Sequence, residues 1–97
     1  MKVLIADVLP STCLEALRDR GFTVQVQTDA AHVALLEALS KERPQVLVVR
    51  STEVTAAMMD AAPSLELIVR AGAGVDTIDV EAAAARGIFV ANCPGKN

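Results

Sequence analysis

The sequence predicts a parallel α/β domain of the flavodoxin-like kind, five strands in the order 2-1-3-4-5 with helices on both faces and an incomplete C-terminal end. Three observations predict it. Val3-Leu4-Ile5-Ala6 and Val46-Leu47-Val48-Val49 are continuous apolar runs, as strands covered on both faces are. Segments of helical periodicity separate the strand candidates, so the repeating unit is βα, which builds parallel sheets with right-handed crossovers. One candidate, Phe22 to Val26, alternates at period two instead, which suits the edge that this order assigns to the second strand.

Taken in order, the first strand ends at Asp7-Val8-Leu9-Pro10, after which Ser11 or Thr12 can cap a helix. Thr12 and Glu15 have capping-box spacing. Leu14 and Leu17, with Cys13 and Ala16, supply that helix with an apolar face, and Gly21 stops it. Phe22 to Val26 follows as the second strand. A helix is expected from about Ala30 to Leu39, behind an Asp29 cap, with Val33, Leu36 and Leu39 at helical spacing. Lys41 and Arg43 lie at its C-terminal end, where positive charge suits the helix dipole.

Pro44 separates this helix from the third strand, Val46 to Val49. Thr55 can cap a helix that contains Met58, Met59 and Ala62 and is closed by Pro63; the two methionines read as core filler. Leu67-Ile68-Val69 is the fourth strand, followed by the Gly-rich loop Arg70 to Asp76. Asp79 can cap a short Ala-rich helix over residues 80 to 86 with Gly87 behind it. Ile88-Phe89-Val90 makes the fifth strand, and no helix follows to cover it on the second face.

The 97 residues fit one domain, burying somewhat over ~60% of the unfolded surface. An apolar content of 53% against 22% charged residues places the chain among folded proteins. With Phe22 and Phe89 as its only aromatics, it lacks the stacking faces of a single-strand nucleic-acid platform. A formal charge of -3 without any basic run argues against binding to nucleic acid or anionic membrane. Cys13 and Cys93 fit neither a redox pair nor metal spacing, which points to a reducing, cytoplasmic compartment. The apolar start is broken by Asp7 and Pro10, too early for a secretory signal or a membrane span.

In the expected topology, Asp7 to Pro10, Arg50 to Thr52, Arg70 to Asp76 and Asn92 to Gly95 all leave the carboxyl ends of strands, where open α/β sheets bind ligands. Arg50-Ser51-Thr52 offers a guanidinium fork and hydroxyls suited to phosphate or carboxylate. The plain alternative is a surface arginine followed by turn residues. Gly72-Ala73-Gly74-Val75-Asp76 is not a dinucleotide fingerprint, because Thr77 stands where its third glycine belongs. Its glycines do permit close ligand approach and leave N–H groups free for an anion, against the reading of a tight connection with no ligand. Cys93 reads as an inert thiol in a Pro-Gly turn, and His32 as a helix-surface residue without a metal partner. No nucleophile-base-orienter set can be assembled, so the chain alone is expected to bind and not to catalyse.

Three blocks carry a resemblance that runs from Lys2 to the last residue. They are Val49-Arg50-Ser51-Thr52-x-Val54-Thr55, then Leu67-x-Val69-Arg70-Ala71-Gly72-Ala73-Gly74-Val75-Asp76-Thr77-Ile78-Asp79, then Ala82-Ala83-x-x-x-Gly87-Ile88-x-Val90-x-Asn92-x-Pro94-Gly95-x-Asn97. In these blocks the sequence resembles the D-isomer-specific 2-hydroxyacid dehydrogenases, with the Arg50 block similar to the branch that oxidises phosphoglycerate.

The resemblance implies that residues 1–97 are the N-terminal portion of a substrate-binding domain, with the nucleotide-binding domain absent. It implies an NAD-dependent parent enzyme of serine biosynthesis, converting 3-phosphoglycerate to 3-phosphohydroxypyruvate, and a small phosphorylated 2-hydroxy or 2-oxo acid as the partner of this portion. Arg50 and Ser51 resemble groups near the substrate phosphate, and the N–H groups of Gly74 and Val75 resemble donors to its carboxylate. Asn97 resembles the asparagine at the hinge between domains. The family's catalytic arginine, glutamate and histidine come from later segments, so no catalytic residue, no bound NAD and no metal are expected of the chain itself. Arg70 precedes the glycine loop and can at most shape the cleft. The parent is expected to be a homo-oligomer paired mainly through the other domain, leaving this portion monomeric. Thr77 and the stretch Ala91-Asn92-Cys93 depart from the residues common in the family. The rival readings are the substrate domain of another D-2-hydroxyacid dehydrogenase and a stand-alone, non-catalytic α/β binding module.

Overall fold

The computed structural model describes residues 1–7, 11–27, 32–71 and 77–92. Five strands alternate with four helices: β1 (Lys2–Ile5), α1 (Ser11–Asp19), β2 (Thr23–Val26), α2 (His32–Glu42), β3 (Val46–Val49), α3 (Ala56–Ala61), β4 (Leu67–Arg70), α4 (Val80–Ala85) and β5 (Phe89–Asn92). The strands form one all-parallel sheet in the order β2-β1-β3-β4-β5, as expected.

The pleat divides the core into two layers. Leu4, Ala6, Leu47, Val49 and Ile68 point to the face covered by α2, α3 and α4, where they pack with Leu35, Leu39, Met58, Met59 and Ala83. Val3, Ile5, Val46 and Val48 point to the opposite face, against Leu14 and Leu17 of α1. All four residues of β3 are buried, the reason its sequence is continuously apolar. β2 is an edge strand and mostly exposed, in line with its alternation. Phe89 pairs with Leu67 in register on the α1 face, yet α1 does not reach it and it stays 76% exposed.

Two glycines end helices in the way the sequence suggests. At the end of α1 the N–H of Gly21 donates to the Arg18 carbonyl at 3.0 Å and that of Phe22 to the Leu17 carbonyl at 3.2 Å, with Gly21 at φ 91°. After α4 the N–H groups of Gly87 and Ile88 donate to the carbonyls of Ala84 and Ala83, with Gly87 at φ 70°. Both are Schellman closures, which need a left-handed residue at that position. Thr55 and Asp79 cap α3 and α4 by accepting from the N–H groups of Met58 and Ala82.

Several details correct the sequence reading. α1 already contains Ser11 and Thr12, so Thr12 is not the cap of a Thr12–Glu15 capping box. Ala16 faces solvent instead of joining the apolar stripe; among the described side chains of α1, Leu14 and Leu17 are the ones that pack on the sheet. α2 runs three residues past Leu39 to Glu42, and among its described side chains the most buried are Leu35 and Leu39. Arg70 closes β4 and Asn92 closes β5, where the two pair, instead of starting loops. Phe22 and Ile88 precede their strands. The Asp29 cap lies outside the described residues.

Candidate functional site at the carboxyl edge of the sheet

The order β2-β1-β3-β4-β5 puts the carboxyl ends of β1 and β3 side by side, and those of β3 and β4 likewise. Ladder bonds continue past the strand ends: the Ala6 N–H donates to the Val48 carbonyl at 2.9 Å, and the Ala71 N–H to the Val49 carbonyl at 2.7 Å. The next residues along, Asp7, Arg50 to Thr52 and Arg70, therefore meet on one rim.

Asp7 is the centre of the described part of this rim. Its Oδ2 accepts from three successive backbone N–H groups, those of Arg50 at 2.6 Å, Ser51 at 3.2 Å and Thr52 at 3.2 Å. Its Oδ1 accepts from the Thr52 hydroxyl at 2.9 Å. Partial burial pushes the Asp7 carboxyl up, but the hydrogen bonds from Arg50, from the Thr52 hydroxyl and from the other two amides outweigh it. The group is held below its ordinary value of 3.8. From the other side, Arg70 Nε donates to the Arg50 carbonyl at 3.1 Å.

Arg50 and Ser51 are exposed, and the Arg50 guanidinium makes no hydrogen bond or ion pair among the described residues. A guanidinium and a hydroxyl thus face solvent from a backbone tied down on both sides, an arrangement able to take an anionic group from solution. Gly74, Val75 and Asn97, the other expected site residues, lie outside the described residues, as do Cys93 and the Pro94-Gly95 turn. His32 begins α2.

A concavity of about 200 Å³ lies where the leads into α3 and α4 meet, lined by Glu53, Val54, Thr55, Thr77, Ile78 and Asp79. Its walls are joined by a parallel bridge between Val54 and Ile78. Carboxylates of Glu53 and Asp79 flank it, so it does not suit an anion. No group of three or more His, Cys, Asp or Glu among the described residues could hold a metal ion. No helix among them is long and apolar enough to cross a membrane.

The sequence singled out Arg50 and Ser51 as candidates and placed Asp7 on the rim without a function; the structure brings all three together. The signal was present. In the order 2-1-3-4-5 an acid at the end of the first strand must adjoin the loop after the third, whose N–H groups have no ladder partner there.

Comparison with known proteins places the chain in a family. Residues 3–97 match the catalytic domain of the D-isomer specific 2-hydroxyacid dehydrogenases. Among curated relatives, the D-3-phosphoglycerate dehydrogenase of Archaeoglobus fulgidus is 42% identical over 98 residues, covering 100% of this chain and 18% of the relative. The human D-3-phosphoglycerate dehydrogenase is 41% identical over 97 residues, again covering 18% of its length. Among solved structures, the TT0316 protein of Thermus thermophilus superposes with a TM-score of 0.83 at 34% identity, over 93% of this chain and 29% of the other. The NAD+-bound 3-phosphoglycerate dehydrogenase of Entamoeba histolytica superposes at 0.82 with 25% identity, over 95% and 32%. The chain spans less than a fifth of the length of these curated relatives, and it belongs to the D-isomer specific 2-hydroxyacid dehydrogenases through their catalytic domain.

Proposed function

We propose that residues 1–97 are the N-terminal portion of the substrate-binding domain of an NAD-dependent dehydrogenase that converts 3-phosphoglycerate to 3-phosphohydroxypyruvate. The observation that carries this reading is the exposed Arg50-Ser51 pair on a backbone fixed from both sides, in a chain 41–42% identical over its whole length to D-3-phosphoglycerate dehydrogenases. In this reading Arg50 and Ser51 receive the substrate phosphate. The N–H groups of Gly74 and Val75 receive its carboxylate, and Asn97 marks the hinge to the nucleotide-binding domain.

When bound, NAD supplies the hydride acceptor at C2 of the substrate. In this reading the groups that move the hydroxyl proton, and the NAD site, belong to the other part of the parent enzyme. The contribution of this portion is charge neutralisation and orientation, which lower the barrier only when both parts enclose the substrate. The parent is a soluble cytoplasmic homo-oligomer in this reading, with neither nucleic acid nor membrane among its partners.

Replacing Arg50 by Ala in the full-length protein tests it. Loss of a charge-assisted contact to phosphate should raise KM for 3-phosphoglycerate by about ten- to a hundredfold, with a much smaller change for a non-phosphorylated 2-hydroxy acid. An unchanged KM for the phosphorylated acid refutes the phosphate assignment. Titration of the isolated 97-residue chain should show no NAD binding and at most weak binding of 3-phosphoglycerate; tight NAD binding would refute the division of labour.

A further inference from the structure

The described part of the rim holds one acidic group, Asp7, that substrate binding by Arg50 and Ser51 does not use. An acid next to an anion site is on its face unfavourable, since like charges repel. Yet Asp7 accepts four hydrogen bonds, every one from residues 50 to 52. Three successive N–H groups converging on one oxygen form the kind of concavity that binds anions, and the anion that fills it is the chain's own carboxylate.

Two consequences follow from this geometry. The backbone donors of the loop are occupied, so an anion arriving there must be met by side chains, the Arg50 guanidinium and the Ser51 hydroxyl. The placement of those side chains in turn depends on Asp7. The Arg50 N–H ends on Asp7 Oδ2 and the Arg50 carbonyl receives Arg70 Nε, so residue 50 is held at both of its peptide groups. Thr52 is held twice, by its N–H and by its hydroxyl.

We propose that Asp7 is the positioning residue of the anion-recognition loop, fixing the backbone of Arg50-Ser51-Thr52 so that the Arg50 and Ser51 side chains meet the phosphorylated acid, without touching that acid itself. The inference rests on the assignment of Arg50 and Ser51 to substrate proposed above. Charge and positioning make opposite predictions here. If Asp7 acted only as a nearby negative charge, neutralising it would tighten the binding of an anionic substrate. As a positioning residue, its neutralisation weakens that binding, because Asn keeps one acceptor oxygen and Ala keeps none.

The test is KM and kcat for 3-phosphoglycerate in the full-length protein carrying Asp7→Asn, Asp7→Ala or Arg50→Ala. Asp7→Ala is expected to raise KM about tenfold with kcat nearly unchanged, the mark of lost binding common to ground and transition states. Asp7→Asn is expected to raise it by a smaller factor. If both Asp7 variants leave KM unchanged or lower it while Arg50→Ala raises it, the positioning role is overturned and the substrate assignment stands. If Arg50→Ala has no effect, the substrate assignment fails and the positioning role fails with it. Should the Asp7 variants not fold, the unmodified 97-residue chain gives the decision by amide NMR. The resonances of residues 50, 51 and 52 should share one inflection as pH falls below 3.8, the ordinary carboxylate value. Independent behaviour of the three amides would overturn the proposal.

Discussion

Arg70 Nε donates to the carbonyl oxygen of Arg50 at 3.1 Å, across the boundary between β4 and the loop after β3. The bond is exposed, so Arg70→Ala should lower stability by about 1 kcal/mol or less. Lys should not replace it, because its compact ammonium lacks the fixed N–H direction of the guanidinium. In the proposed dehydrogenase, Arg70→Ala should raise KM a few-fold, well short of Arg50→Ala. Equal effects of the two substitutions in steady-state kinetics would mean that Arg70 itself reaches the substrate.

The Asp7 carboxyl gives a pH dependence of definite sign. Its folded value lies below the ordinary 3.8, because hydrogen bonds to the ionised form exceed the cost of partial burial. A depressed folded value means that the group stabilises the fold above the unfolded pKa and loses that contribution as pH falls through the folded one. The stability gap between the unmodified chain and Asp7→Asn should therefore be constant at neutral and mildly acidic pH and shrink below 3.8. Urea midpoints of the two chains across that range measure it, and the carboxylates they share, including Asp60, cancel in the difference. A gap that widened toward low pH would contradict the hydrogen bonds seen.

Burial on both faces made β1 and β3 legible from composition alone, because a two-sided apolar environment leaves no polar position to blur the pattern. The edge placement of β2 was legible for the opposite reason. Boundaries were less so. Arg70 and Asn92 are polar and read as loop residues, yet the parallel ladder between β4 and β5 carries them one step further. Ala16 misled because alanine suits a helix whether it is buried or exposed. On the rim, Arg50 and Ser51 stood out as candidates by residue type. The role of Asp7 depends on a pairing 43 residues away in sequence, which appears only once the strand order is combined with a count of unsatisfied N–H groups.

Arg43, immediately after α2, has φ 49°, and its N–H closes on the Leu39 carbonyl at 3.1 Å. A side chain in the left-handed region costs about 1–2 kcal/mol relative to glycine. Part of any relief is cancelled by the greater freedom of glycine in the unfolded chain. Arg43→Gly should thus stabilise by about 0.5–1 kcal/mol, read as a higher urea midpoint at unchanged slope. Arg43→Ala, which keeps the Cβ, should gain nothing; a gain of the same size for Ala would trace the effect to charge rather than backbone.

Leu47 and Phe89 mark the two extremes of burial in the sheet. Leu47 is fully buried beneath the α2–α4 layer, whereas Phe89 on β5 is 76% exposed on the face that α1 leaves bare. Leu47→Ala should cost about 2–5 kcal/mol, the transfer of the lost methyls plus a cavity that the parallel strands on either side cannot collapse. Phe89→Ala should stay within about 0.5 kcal/mol, as at other exposed sites, despite removing the larger side chain. The order is the informative part, since a ranking by volume would reverse it. Chemical denaturation of the two variants of the 97-residue chain decides between the rankings. A cost at Phe89 approaching that at Leu47, or one that grows with protein concentration, would mean that the bare face is covered in solution.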